Sequence, residues 1–334
     1  MAYFNRFALQ LAVALIVLEV MCRLFLGQRP MQRYDKRYDR LTAPNQAFVE
    51  VLEGFARGRT NELGNLDGAM PNPLPKHAIL VVGDSLAEAR QVSMSERWST
   101  VLGTLLNRHV YNAGHSGWSP ANVLEYLRAE KHRFEPETVV LQVSGNDLDD
   151  IVAKKRPHVV DDAGVMSIKL PKRKKSGMAA KINRAKELVS RSALGGNLIV
   201  AGLTMVGAGN GGSGNALGCT PPDANVEKAA RWLFGEIQKQ HPNTVVVYFP
   251  TLNYYDGCVD QCIPSRDLFR SVTTSAKLAF LDITAAACSR FAQTRQPLHG
   301  FWNTAPGIGH LNAEGNVVAA QVIADYLRSV EGSP

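Results

Sequence analysis

Four short blocks hold the residues whose types and spacing could do chemistry. They are Gly83-Asp84-Ser85-Leu86, Asn112-Ala113-Gly114-His115-Ser116-Gly117, Gly145-Asn146-Asp147 and His310-Leu311-Asn312. A serine hydroxyl attacks an ester carbonyl once a neighbouring histidine takes its proton. The oxyanion that forms needs aimed N–H donors. Ser85 and Gly114 can offer backbone N–H groups, and Asn146 its amide. Each block also has a plain reading: a helix cap, an ordinary turn, an Asx-turn and a packing histidine. Their order and placement along the chain weigh against four coincidences.

The elements that must position these blocks are legible as alternating strands and helices. HAILVVGDS is a short apolar run entering a turn, HVYNAG a second strand and TVVLQVSGND a third. SERWSTVLGTLLN has helical spacing, and SPANVLEYLRAEKHRF predicts a helix with Ser119 as N-cap and Pro120 at its first turn. After an irregular stretch the pattern resumes with DANVEKAARWLFGEIQKQ, NTVVVYFP, SRDLFRSVTTSAKL and AFLDIT. A last helix, AEGNVVAAQVIADYLRSV, follows His310, with Asn312 as its N-cap. Such alternation predicts an α/β fold, a parallel sheet wrapped by helices. The first three blocks fall at strand ends, on the carboxyl edge where open sheets bind ligands.

Taken together, the blocks resemble those of the SGNH hydrolases, also called the GDSL family, over about residues 77–330. Ser85, Gly114, Asn146 and His310 look like the four residues for which that family is named. The resemblance implies a three-layer flavodoxin-like fold with a parallel sheet, and acyl hydrolysis or transfer without a metal or other cofactor. It implies Ser85 as nucleophile, His310 as base, and an oxyanion hole from Ser85, Gly114 and Asn146. One departure stands out. The family usually has an aspartate three residues before the histidine, and here that position is Gly307. Asp84, Asp147 and Asp149 are the candidates to orient His310 in its place, or a backbone carbonyl near Gly307.

Phe7–Gly27 is apolar and about long enough to cross a bilayer, with Glu19 and Arg23 four apart and able to pair. It is read as an uncleaved membrane anchor over residues 1–27, in preference to a signal peptide, since no small-x-small cleavage site follows. Residues 28–76, with QRYDKRYDR and LGNLDGAMPNPLPK, read as a tether carrying one helix at Asn45–Ala56, ahead of a catalytic domain at 77–332. Residues 151–218 read as a large insertion after the third strand.

The net charge of +7 is local: residues 153–186 hold eleven Lys/Arg and two Asp, and the remainder is slightly acidic. That pattern suits a contact surface for an anionic lipid or glycan, or a solvated loop, and not a nucleic-acid-binding body. Cys219, Cys258, Cys262 and Cys288 form an even set, which fits at least one disulfide, involving Cys258 or Cys262, in an oxidising compartment. Cys258-x3-Cys262 is half of a zinc pattern with no second half. The basic residues after the apolar segment favour a cytoplasmic domain by the positive-inside rule. The cysteines and the family resemblance favour an extracytoplasmic one, which is the expectation adopted. The expected function is a serine ester hydrolase acting through an acyl-enzyme. An O-acetyltransferase or deacetylase on an extracellular polysaccharide, and a non-catalytic binder on the same fold, are the alternatives.

Overall fold

The computed structural model describes residues 2–26, 32–35, 37–71, 75–130, 133, 135–171, 189, 192–195, 219 and 221–332. Helix α1 (Ala2–Met21) runs into a π-helical turn, Cys22–Leu26. Two antiparallel hairpins follow: β1 (Gln32–Asp35) with β2 (Asp39–Thr42), then β3 (Ala47–Glu50) with β4 (Ala56–Arg59). The αβ part comprises β5 (Ile79–Val82), α2 (Ser85–Glu88), α3 (Trp98–Leu106), β6 (Val110–Asn112), α4 (Pro120–Ala129), β7 (Thr138–Ser144) and α5 (Asp147–Val152). A hairpin of β8 (His158–Asp162) and β9 (Val165–Lys169) precedes α6 (Ala224–Gln240) and β10 (Thr244–Phe249). The short pair β11 (Leu252–Asn253) and β12 (Val259–Asp260), α7 (Ile263–Ser275), β13 (Ala279–Asp282), α8 (Thr284–Thr294) and α9 (Ala313–Glu331) complete the chain.

The central sheet has the order β13-β10-β7-β5-β6, and every pairing in it is parallel. Side chains alternate across a strand, so each strand feeds two cores. Leu80, Val82, Val139, Leu141, Val246 and Tyr248 face one layer, packed with Leu124 of α4, Phe234 of α6 and Phe269 of α7. Ile79, Val81, Val140, Val245 and Val247 face the other, packed with Leu102 of α3 and Ile323 of α9. A sheet covered on both faces explains the unbroken apolar runs in the sequence, and the result is the expected three-layer α/β fold. Helix α4 starts as its sequence predicts, with Ser119 and Asn122 forming a capping box and Pro120 in the first turn.

Three expectations are corrected. No helix forms at 45–56. QAFVEVLEGFA can be read with helical or alternating periodicity, and alternation wins: Phe48 and Glu50 are buried on the same face of β3, and Gly54 turns the chain with φ +73°. Nor is 28–76 a tether. Its described part packs into the domain: Asn61 and Asn65 donate to Tyr111 Oη, Asp67 accepts from Asn112 N–H, and Tyr38 O accepts from Asn122. Finally, the anchor is not supported, because no helix among the described residues is long and apolar enough to cross a membrane. Glu19 and Arg23 pair at 2.7 Å as their spacing suggests, but Glu19 also accepts the N–H groups of Ala193 and Leu194. Most of the insertion, Lys172–Lys175 included, lies outside the described residues.

Candidate active site

Ser85 opens α2 directly after the first central strand. Gly83 makes the sharp turn possible: its φ is +153°, and a Cβ there would meet Gln142 Oε1 at 2.5 Å and the Ala87 methyl at 2.9 Å. Asp84 caps the helix, accepting from Leu86 N–H at 2.8 Å, while its own N–H donates to Gln142 Oε1. Across the cleft, Asn312 caps α9 by accepting from Gly315 N–H, which leaves His310 on the loop just before the helix.

The structure brings Ser85 and His310 together, with Oγ and Nε2 2.8 Å apart. On the far side of the ring, Nδ1 lies 2.7 Å from Oε2 of Glu53. A carboxylate can only accept, so Nδ1 carries the proton and Nε2 is left to accept from Ser85. Glu53 Oε1 also accepts the backbone N–H of His310 at 2.7 Å, so the carboxylate grips ring and backbone at once.

Glu53 was not among the candidates to orient His310, and none of those candidates does so. Asp84 is spent on the α2 cap. Asp147 accepts from both the N–H and the hydroxyl of Ser144. Burial pushes the carboxyls of both Asp84 and Asp147 upward, and the proximity of Asp84 raises Asp147 further. Asp149 is exposed on α5. A backbone carbonyl near Gly307 is not the partner of Nδ1 either, because Nδ1 already has its carboxylate. The signal for Glu53 lay in the Gly-Ile-Gly before His310. At Gly309 an added Cβ would come within 2.3 Å of Glu53 Oε1, so the absence of a side chain there makes room for a carboxylate arriving from elsewhere.

The turn that delivers Glu53 is held from two sides. Asn303 receives Gly54 N–H on Oδ1 and donates to the carbonyls of Val51 and Gly54, tying the turn to the loop that leads to His310. Behind it, buried Glu50 accepts from Leu52 N–H at 3.1 Å and from Arg90 Nε at 3.1 Å. Arg90 also lies 3.5 Å from Glu88 of α2, and Glu88 accepts the hydroxyl of Ser116. One guanidinium thus joins the acid's turn, the nucleophile's helix and the second block.

Asn146 Oδ1 is held by the Ser144 hydroxyl at 3.0 Å, and its Nδ2 has no partner among the described residues. The same is true of Ser85 N–H, so both can donate to an oxyanion. Gly114 is different. Its N–H donates to Asn112 Oδ1, and its missing side chain is what lets the loop lie against α2, since a Cβ would meet Glu88 N at 2.6 Å. Gly117, in the same loop, is exposed with φ +81° and open space around it. Its N–H is unengaged among the described residues, so of the two glycines it is the one free to donate. His299, near the site, donates to or accepts from Tyr254 Oη at 2.6 Å; burial pulls its pKa down to about 4, so it stays neutral beside His310.

A sequence profile of the GDSL-like Lipase/Acylhydrolase family matches residues 81–318. The chain belongs to this family. It is therefore a serine ester hydrolase, and the absence of a carboxylate at Gly307 no longer argues for a non-catalytic binder, because Glu53 stands at Nδ1 instead. Glu53 itself lies outside the matched residues. A search of curated protein sequences found no match. Solved structures similar to this acylhydrolase include TesA (14% identity, 76% of this chain and 99% of that one, TM-score 0.42). Others are the psychrotrophic esterase EstA from Pseudoalteromonas sp. (13%, 77% and 99%, 0.41) and a two-domain esterase active on acetylated mannans (11%, 77% and 50%, 0.42).

Proposed function

We propose that this GDSL-like acylhydrolase cleaves an acyl ester through a covalent acyl-enzyme, with Ser85, His310 and Glu53 as its triad. The observation that carries the reading is the unbroken run from Ser85 Oγ through His310 to Glu53, at 2.8 and 2.7 Å. Ser85 Oγ attacks the carbonyl carbon while His310 Nε2 takes its proton. The oxyanion is met by Ser85 N–H, the Asn146 amide and the glycine loop, with Gly117 in place of Gly114. The imidazolium returns its proton to the leaving alcohol oxygen as the ester C–O bond breaks. Water, deprotonated by the same Nε2, then releases the acid and restores Ser85.

Transfer of the acyl group to a sugar hydroxyl would use the same groups, with the hydroxyl in place of water. The exposure of Ile308 and Gly309 beside His310 leaves room for such an acceptor. Product analysis with and without acceptor separates the two outcomes. The primary test is Ser85→Ala. Ester cleavage should fall by more than about 10³-fold and fluorophosphonate labelling should vanish, since a triad without its nucleophile loses most of its rate. A variant that retains labelling would remove Ser85 from the role.

A further inference from the structure

Outside α1 and the turn that follows it, three large aromatic side chains are exposed among the described residues: Phe55 at 51%, Tyr255 at 81% and Trp302 at 85%. All three sit on loops joined around His310. Phe55 follows Gly54 and Trp302 precedes Asn303, the two residues whose hydrogen bond clamps the Glu53 turn. Tyr255 donates its hydroxyl to Pro306 O at 3.5 Å, on the loop that carries the histidine. The remaining tryptophans, Trp98, Trp118 and Trp232, are buried or half-buried in the cores. Exposed aromatics carried on connected loops offer a surface that a ligand can cover.

The chemistry of the ligand follows from their setting. An acyl chain is gripped by concave apolar walls that bury most of it. Rings that are four-fifths exposed on loop tips offer flat faces instead, and exposed Asp256 beside Tyr255 offers a carboxylate oxygen as hydrogen-bond acceptor. A pyranose ring has the matching character, an apolar C–H face with a rim of hydroxyls. We infer that the alcohol half of the substrate is a glycan, an O-acylated polysaccharide whose sugar rings stack on Trp302 and Tyr255 while the ester reaches Ser85. This rests on the reading of Ser85 as nucleophile.

The test compares the full chain with Trp302→Ala and Tyr255→Ala on p-nitrophenyl acetate, p-nitrophenyl decanoate and a panel of neutral and uronate-containing acetylated polysaccharides. The expected result is cleavage of at least one polymer, with each variant lowering kcat/KM on it roughly tenfold more than on p-nitrophenyl acetate. Titrating Ser85→Ala with that polymer should also shift tryptophan emission to shorter wavelength, a change absent from Ser85→Ala/Trp302→Ala. If the native chain fails to cleave p-nitrophenyl acetate and every polymer, the nucleophile reading is what fails. If p-nitrophenyl acetate is cleaved and no polymer is, or if the variants impair the decanoate selectively, the glycan assignment is overturned and the nucleophile stands.

Discussion

At the scale of single residues, a glutamate from the N-terminal part of the chain supplies what the sequence lacks at Gly307. A carboxylate at Nδ1 fixes the tautomer that lets Nε2 accept a proton and stabilises the imidazolium that forms. Glu53→Gln should therefore keep the fold and lose rate, by up to about 10⁴-fold in kcat where the wrong tautomer results. Steady-state kinetics beside a thermal melt checks this, and a loss of less than about tenfold would leave Glu53 a structural role only. The pairing of Ser85 with His310 was legible because their blocks lie at a strand end and before a capped helix, where local sequence dictates the geometry. Glu53 was not, because nothing local marks it. Its role arises from a contact 257 residues apart in sequence, and the trace it leaves near His310 is a missing side chain, Gly309. Gly114 misled for a related reason: glycine also serves close packing, and which use applies depends on what lies opposite.

At the scale of elements, the central strands and their helices were legible because burial on both faces writes itself into apolar runs and helical spacing. The β3–β4 hairpin was not, since a short amphipathic stretch suits either period until its partner is known. That hairpin is anchored by charge as much as by packing. Arg90 is the link, and it faces Glu50 and Glu88, both almost wholly buried. Removing one member of a buried ion pair costs roughly 3–5 kcal/mol, because the other charge is left stranded. Arg90→Met should thus lower the melting temperature by about 4–7 °C. It should also reduce kcat per folded molecule, because the turn bearing Glu53 loses its hold. Arg90→Met/Glu50→Gln should recover part of the melting temperature. Calorimetry with active-site titration checks both, and a variant as stable as the parent would show that the network contributes little.

At the scale of the whole molecule, the cysteines tie loop segments to one another and to helix α8. Cys219 pairs with Cys262 and Cys258 with Cys288, while Cys22 is free and buried. Cys262 lies directly against Gly145, where a Cβ would meet its sulfur at 2.4 Å, so one bridge backs the loop that presents Asn146. We propose from this pairing that the catalytic domain works outside the cytoplasm, where such bonds persist. Alkylation of protein taken from its native compartment, followed by mass spectrometry, should find these two pairs. Four free thiols there would defeat the idea. The arm that carries Glu53 has a consequence in time. Chain synthesis runs from the N-terminus, so the acid is made 257 residues before His310. The arm must wait, without its partner, while the sheet is laid down between them. No product of synthesis that stops short of His310 holds all three groups of the proposed triad, so hydrolysis waits until the histidine loop has closed on the turn that bears Glu53.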